Sequence, residues 1–529
     1  MPNQSKRPNF LLIMTDQQRA DHLGAYGNPI VRTPNLDQLA LTGWRADRMY
    51  VATPVCMPNR ASILTGRYPS AHRARHNGIA LSTDATTFVD MLREAGYSTA
   101  LVGKAHFQNM TNLPPSWPVR SEDRLAREAF CAPAGRYDQE LKEKWLAEDD
   151  FDLDYPFYGF ETVDLVDDHS DEVHGHYLRW LRKNHPEIAQ LAGRHQAIPT
   201  PQYELSRFGQ AWRTRVPEEL YPTAYIADRA CAMLRTFAGD GRPFFLQVSF
   251  PDPHHPFTPP GRYWDMYSPD EVALPASFHH PEPMPSHLRW LLERRENGKD
   301  VKHTPALFAC SEREAREAIA LNYGSITNID DRVGQIIDTL RDAKLMDNTV
   351  VIFTSDHGDY LGDHRLMLKG PIHYQGLIRV PFIWKDPSSV AGPRFSDSLF
   401  SSIDIAPTIL DRAGVAHFNG IQGKCMLPVM LGSKESVREH LMLEEENQRV
   451  ILGFQGRTRC RTLMDQRYRL TVYDGVQWGE LYDLQEDPLE FHNRWDDSAY
   501  GPTRAAMMES LARSMLDHVD TSPYPSALA

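Results

Sequence analysis

"TVVIFTSDHGDYLGDHRLMLKG", residues 349–370, is a run of β-branched and aromatic residues that stops abruptly at two carboxylates and an imidazole. Its apolar half, 349–355, reads as a strand buried on both faces, the pattern of a parallel sheet covered by helices. Upstream, Ile326, Ile329, Val333, Ile336 and Leu340 recur at three- and four-residue spacing, which predicts a helix over 321–343 feeding straight into that strand. Three further runs read as strands of the same kind: "NFLLIM" (9–14), "STALVG" (98–103) and "PFFLQVSF" (243–250). Between them, "TPNLDQLALTG" (33–43) and "TTFVDMLREAG" (86–96) read as helices, each ending in a glycine suited to a C-cap. Strands alternating with helices imply an α/β fold with a mostly parallel central sheet and helices on both faces.

At 529 residues the chain exceeds one comfortable core. From 112 to 220 prolines and acidic residues loosen the pattern, so this segment is expected to be an insertion or lid within a catalytic α/β domain spanning 1–429. After "SSIDIAPTILDRAG" (401–414) the texture changes, and "RTLMDQRYRLTVYDG" (461–475) and "GELYDLQEDP" (479–488) read as antiparallel strands with turns. A smaller C-terminal α+β subdomain with an antiparallel sheet is therefore expected over 430–529. Its tail, "VDTSPYPSALA", reads either as a disordered end or as an arm that wraps a neighbour, with a homo-oligomer the preferred expectation.

The composition, 41% hydrophobic and 24% charged, is that of an ordinary globular protein. A formal net charge of -13 argues against general nucleic-acid binding. A local basic pocket would still draw in a small anion. No apolar run reaches the length of a membrane span, so no membrane partner is expected. "NFLLIM" is too short for a signal-peptide core and runs into Thr15 and Asp16, so the expected location is cytoplasmic. The 6 cysteines are scattered without a CxxC pair, which argues against both a disulfide framework and a thiolate zinc site.

In open α/β sheets ligands sit beyond the carboxyl ends of the strands. Each predicted strand runs into polar residues there: Asp16 and Gln17, then Lys104 and His106, then His254 and His255, and finally Asp356, His357 and Lys369. Singly these have ordinary uses, an aspartate as a turn residue or a lysine as a solvated charge. Four strands delivering them to one rim favours a site. Carboxylates gathered in one place repel unless a cation lies between them. Asp16 and Asp356, with Gln17 and His357, suit a hard divalent cation such as Ca²⁺, Mg²⁺ or Mn²⁺, whereas zinc draws more histidine or cysteine. In "PVCMPNRASILTGR" (54–67), Cys56 is expected in a turn at the N-terminus of a helix that Pro58 and Asn59 start, where free N–H groups attract an anion.

Here the motifs resemble a known family. "CMPNRASILTG" is similar to the sulfatase signature C-x-P-x-R followed by a hydrophobic pair and Thr-Gly. "RPNFLLIMTDQQRADHLGAYG", "LVGKAHF", "TSDHGDYLGDHRLMLKG", "SSIDIAPTIL" and "GELYDLQEDPLEFHN" resemble its other landmarks, in family order, from about residue 8 to 495. The chain thus resembles the type I sulfatases of the alkaline phosphatase superfamily. The resemblance implies that Cys56 is oxidised to formylglycine by a formylglycine-generating enzyme, and that its hydrate is the nucleophile. It implies one divalent cation held by Asp16, Gln17, residue 56, Asp356 and His357, with Ca²⁺ ranked ahead of Mn²⁺. It assigns Lys104 and Lys369 to the oxygens of the transferring group, His254 to the leaving group, and Arg60 and His106 to the diol. Met57 and Asn59 replace the small residues commonest inside the signature. Gln17 and His357, with Asn77 and His255 on the substrate side, are similar to the phosphonate monoester hydrolase and phosphodiesterase branch. The Lys104–His106 pair belongs to arylsulfatases. This mixture implies hydrolysis of small-molecule sulfate esters with promiscuity toward phosphonate monoesters and phosphodiesters. The alternatives are a phosphonate or phosphodiester main activity, or a non-catalytic metal-binding protein with unmodified Cys56.

Overall fold

Five strands carry the buried centre of the molecule: Thr349–Ser355, Asn9–Thr15, Phe244–Phe250, Ser98–Gly103 and Thr162–Asp167, adjacent in that order and parallel. In this computed structural model residues 7–113, 129–281, 283–389, 394–447 and 449–527 are described. Phe382–Lys385 flanks the five antiparallel on one side, with Trp44–Ala46 antiparallel to it in turn and so parallel to the five, and His174–Gly175 flanks them antiparallel on the other. With Arg394–Ser396 at one edge the sheet has nine strands. The pleat sends alternate side chains into two separate cores. Phe10, Leu12, Val350 and Ile352 join one, and Leu11, Ile13, Val351 and Phe353 the other. Both faces are dry because helices cover both, which is why these strands read as continuous apolar runs.

The helix expected over 321–343 begins earlier, as Glu312–Asp342. Its start is fixed by a capping box, Ser311 accepting from the Glu314 N–H and Glu314 from the Ser311 N–H. The two expected C-cap glycines behave differently. Gly96 turns left-handed at φ 91, whereas Gly43 stays at φ -118. At Gly43 close approach demands glycine, since a Cβ would lie 2.8 Å from the carbonyl oxygens of Leu39 and Trp384. Of the segment expected as an insertion, 114–128 lies outside the described residues, as do the last two positions of the tail. The remainder includes strand Thr162–Asp167, which extends the central sheet, and helix His176–Asn184. No helix among the described residues is long and apolar enough to cross a membrane.

Strands Leu441–Glu446, Arg459–Met464, Tyr468–Tyr473 and Gly479–Asp483 form the antiparallel C-terminal sheet. Met442, Leu463, Leu470 and Leu481 from one face meet Met507 and Leu511 of helix Gly501–Asp517. The opposite face buries an ionic network. Arg469, fully enclosed, donates to Glu480 Oε2 at 3.0 Å and Glu490 Oε1 at 2.5 Å, while His287 Nε2 lies 3.1 Å from Glu480 Oε1.

A buried guanidinium that loses its partners costs more than the pair contributes, so Arg469→Ala is expected to destabilise by about 3–5 kcal/mol in urea unfolding. Burial works against Glu480 ionising, but Arg469 and His287 outweigh it and draw the carboxyl from 4.5 to about 2. Because the folded value is the lower one, this stabilisation is complete above pH 4.5 and is lost as pH falls toward 2. Urea midpoints across that window should show an acid-dependent loss of about 3 kcal/mol that Glu480→Gln removes.

Candidate active site

The carboxyl ends of four parallel strands supply most of the site. Asp16 and Gln17 follow Asn9–Thr15, Lys104 and His106 follow Ser98–Gly103, His254 and His255 follow Phe244–Phe250, and Asp356 and His357 follow Thr349–Ser355. The strand ends are tied laterally, the Asp356 N–H donating to the Thr15 carbonyl at 3.1 Å and the Asp16 N–H to the Asp252 carbonyl at 3.2 Å. Cys56 enters from helix Cys56–Thr65, which begins two residues earlier than the sequence suggests. Pro58 is its third residue and needs no acceptor there, because the first N–H groups of a helix have no intrahelical partner.

Asp16 and Asp356 are buried with no exposed surface. Arg60 and Lys104 hold them. Arg60 Nε lies 2.7 Å from Asp356 Oδ2 and its Nη2 3.5 Å from Asp16 Oδ2, while Lys104 Nζ lies 2.7 Å from Asp16 Oδ2. Arg60 is itself oriented by the Lys104 carbonyl at 3.0 Å and Ser249 Oγ at 2.9 Å. Burial opposes ionisation of Asp16, but Lys104, with His254, His169 and Arg60 behind it, keeps that carboxyl well below its ordinary range.

Cys56 Sγ is 3.2 Å from His357 Nε2 and 2.8 Å from Lys369 Nζ. The same ammonium lies 2.9 Å from His357 Nε2 and 3.2 Å from His254 Nε2. Burial raises the Cys56 thiol and Asp16 adds to this, yet Lys369 and His357 prevail and bring it to about 7. His254 and His255 are pushed well below the ordinary imidazole range, chiefly by burial. His357 Nδ1 is 2.8 Å from the Gly358 carbonyl, which fixes it as an N–H nitrogen and turns Nε2 toward the site. Burial and Lys369 oppose protonation of this ring, but Asp356 and Cys56 raise it above its ordinary value.

Ligand atoms of Asp16, Cys56, Asp356 and His357 lie within 4.8 Å of one another. Asp16 Oδ1 and Gln17 Oε1 are buried without hydrogen-bond partners. Unspent oxygens beside a second carboxylate and an imidazole fit a hard divalent cation.

Other expected residues stand further out. Arg60 and His106 make no hydrogen bond to Cys56. Arg60 instead holds Asp356, and His106 Nδ1 is buried without a partner. His255 Nδ1 meets Gln17 Nε2 at 3.0 Å. Asn77 lines a cleft beside Lys369 rather than the Cys56 contact set.

Sequence reading missed His169, whose Nε2 is 2.7 Å from Lys104 Nζ and whose ring stacks on His254 at 3.7 Å. It follows strand Thr162–Asp167 as the other site residues follow theirs, so the same signal was present. Also missed was a carboxyl pair beneath the Lys104–His106 loop. Asp167 Oδ1 accepts the Ala105 N–H at 3.1 Å, and Glu140 Oε1 accepts those of Phe107 and Gln108 at 2.9 and 3.1 Å. Burial, and then Asp167, push the Glu140 carboxyl well above its ordinary value.

A buried cysteine at a helix N-terminus, ringed by lysine and imidazole above paired carboxylates, lies on the carboxyl edge of an alkaline phosphatase-like sheet, and the family and relatives that follow make the chain a sulfuric ester hydrolase. The chain belongs to the sulfatase family, whose model matches residues 8–415. A second model, described as N-sulphoglucosamine sulphohydrolase, C-terminal, matches 361–517. The chain is 28% identical to an arylsulfatase of Clostridium perfringens, covering 93% of this chain and 91% of that protein. It is 30% identical to a multifunctional alkaline phosphatase superfamily protein of Trinickia caryophylli, covering 96% and 95%. The crystal structure of a phosphonate monoester hydrolase of Agrobacterium radiobacter superposes with a TM-score of 0.76 at 26% identity, covering 99% of this chain and 98% of the other.

Asp16→Asn is expected to weaken binding of Ca²⁺ or Mn²⁺ by at least about tenfold, measured by titration calorimetry, because it halves the carboxylate charge facing the ion. Unchanged affinity would place the cation elsewhere.

Proposed function

We propose that the protein hydrolyses sulfate monoesters of the arylsulfatase type, with formylglycine at position 56 and one divalent cation, Ca²⁺ ahead of Mn²⁺. The observation that carries this reading is the single ammonium of Lys369 touching Cys56 Sγ, His254 Nε2 and His357 Nε2 together. The Sγ position stands in for a hydrate oxygen of the mature side chain.

In that form residue 56 supplies a hydroxyl that attacks sulfur, and a second hydroxyl whose deprotonation releases the sulfate and restores the aldehyde. A cation held by Asp16, Gln17, Asp356 and His357 supplies Lewis acidity and favours the ionised hydroxyl. The protein's own groups do the rest. Lys369 lies against both the nucleophile and His254, where it offsets charge gathering on the transferring oxygens. Lys104 holds Asp16 ionised and in place. His254 Nδ1 is engaged by the His255 carbonyl, so Nε2 accepts from the Lys369 ammonium, and through it a proton from Lys369 passes to the departing alkoxide or phenoxide. Arg60 acts through Asp356, keeping its second oxygen available to the cation.

A second reading, phosphonate monoester or phosphodiester hydrolysis, is favoured by the Gln17–His357 pairing and the structural likeness to a phosphonate monoester hydrolase. Against it stands the Lys104–His106 pair, which resembles the arylsulfatases, with Lys104 bonded to Asp16 and His169.

Mass spectrometry of the peptide spanning 54–67 is expected to show sulfur replaced by a carbonyl oxygen in natively expressed protein. Cys56→Ala should abolish turnover without changing the unfolding midpoint. Only thiol in an active preparation would remove the mechanism. The ratio of kcat/KM on 4-nitrophenyl sulfate to that on a phenyl phosphonate ester ranks the two readings, with sulfate expected ahead. His254→Ala should slow esters of poorly acidic alcohols far more than those of activated phenols, and an equal loss across the series would reassign the proton donor.

A further inference from the structure

Beside the reaction centre, Pro54, Val55, Asn77 and Lys369 form one wall of a cleft whose other wall comes from the C-terminal sheet, Glu445 to Asn447 and Arg449. Lys369 belongs both to this cleft and to the Cys56 contact set, so the cleft opens directly off the nucleophile. Its polar groups differ in what they have left to offer.

Glu445 is spent, with one carboxylate oxygen 2.9 Å from His373 Nε2 and the other accepting from Asn447 Nδ2 at 3.0 Å. Glu446 pairs with Arg75 at 3.6 Å. Arg449 is not spent. Among the described residues its guanidinium makes one long hydrogen bond, to the Pro305 carbonyl at 3.4 Å, and no ion pair. Burial alone, with no carboxylate opposing it, pulls the Arg449 guanidinium below its ordinary value. Across the cleft Asn77 Oδ1 is buried and unpartnered. The wall thus offers one half-buried, unneutralised fork of N–H donors and one vacant acceptor.

We propose that this cleft seats the alcohol portion of the ester and selects alcohols carrying a second anionic group, a carboxylate received by Arg449, with a hydroxyl or N–H elsewhere on the same alcohol directed to Asn77. Guanidinium matches a carboxylate with two parallel N–H···O bonds, and charge-assisted bonds of this kind discriminate strongly when partly desolvated. The selectivity is set by a residue more than 390 positions after Cys56 in the chain. This inference rests on the proposed esterolytic role of residue 56.

The test compares two aryl sulfates differing only in charge, 3-carboxyphenyl sulfate and 3-carbamoylphenyl sulfate. The native protein is expected to prefer the carboxylate by about tenfold in kcat/KM at low salt, with the preference shrinking as ionic strength rises. In Arg449→Met the two esters should become equivalent, while Arg449→Lys should keep part of the preference because it retains the charge but not the fork. Equal kcat/KM in the native protein, or an undiminished preference in Arg449→Met, overturns the inference and leaves the esterase reading intact. If neither ester is turned over, the esterase reading fails. Calorimetry of the two free phenols, 3-hydroxybenzoate against 3-hydroxybenzamide, then decides the cleft by itself: tighter binding of the benzoate that Arg449→Met abolishes sustains it, and equal binding ends it.

Discussion

Two carboxylates with no exposed surface, Asp16 and Asp356, face one another across a space of a few ångströms, and most of the site is arranged around that fact. Neither water nor distance relieves their repulsion, so positive charge must be built in. Arg60 and Lys104 supply part of it from inside the protein, and both are as deeply buried as the acids they serve. Their attachments leave Asp16 Oδ1 unsatisfied. The protein neutralises part of the charge from within and leaves carboxylate oxygen beside Cys56 that could hold a cation.

That arrangement explains why the sequence disclosed the centre so readily. A buried parallel strand is a continuous apolar run, and whatever polar residue ends it must lie at the sheet's carboxyl edge. Asp16, Lys104, His254 and Asp356 were visible because each ends such a run. The C-terminal strands showed themselves by turn chemistry. Helix starts were less legible: the Ser311–Glu314 capping box lies ahead of the apolar stripe, so periodicity placed the Glu312–Asp342 helix too late. Cys56 lies ahead of Pro58 and Asn59, the expected helix start, for the related reason that a first turn tolerates proline.

What stayed hidden depends on side chains meeting across long stretches of chain. His169 follows a shorter strand in a polar, proline-rich region, and nothing local shows that its ring stacks on His254. The Glu140–Asp167 pair supports the Lys104–His106 loop through three backbone N–H groups, and hydrogen bonds to backbone leave no mark in residue pattern. Nor could residue type show that the Arg60 guanidinium gives its Nε to Asp356.

Backbone strain follows the same map. Gln17 at φ 62 and His106 at φ 55 occupy left-handed conformations although neither is glycine, and Leu361, His364, Arg365 and Leu368 do so along the loop leading to Lys369. Each costs of the order of 1 kcal/mol or more and persists only where surrounding contacts fix it. For Gln17 these are its N–H to Asp356 and its amide to His255 and Asp359. For the loop they are the Leu361 and Leu368 N–H groups, both donating to Asp359 Oδ1. Asp359 therefore joins the loop carrying Lys369 to the residue beside Asp16, although it is not itself among the ligand atoms gathered at the cation site. Gln17 and Lys369 are consequently positioned as one unit with Asp356, and a change at Asp359 would shift Lys369 and Gln17 together rather than either alone.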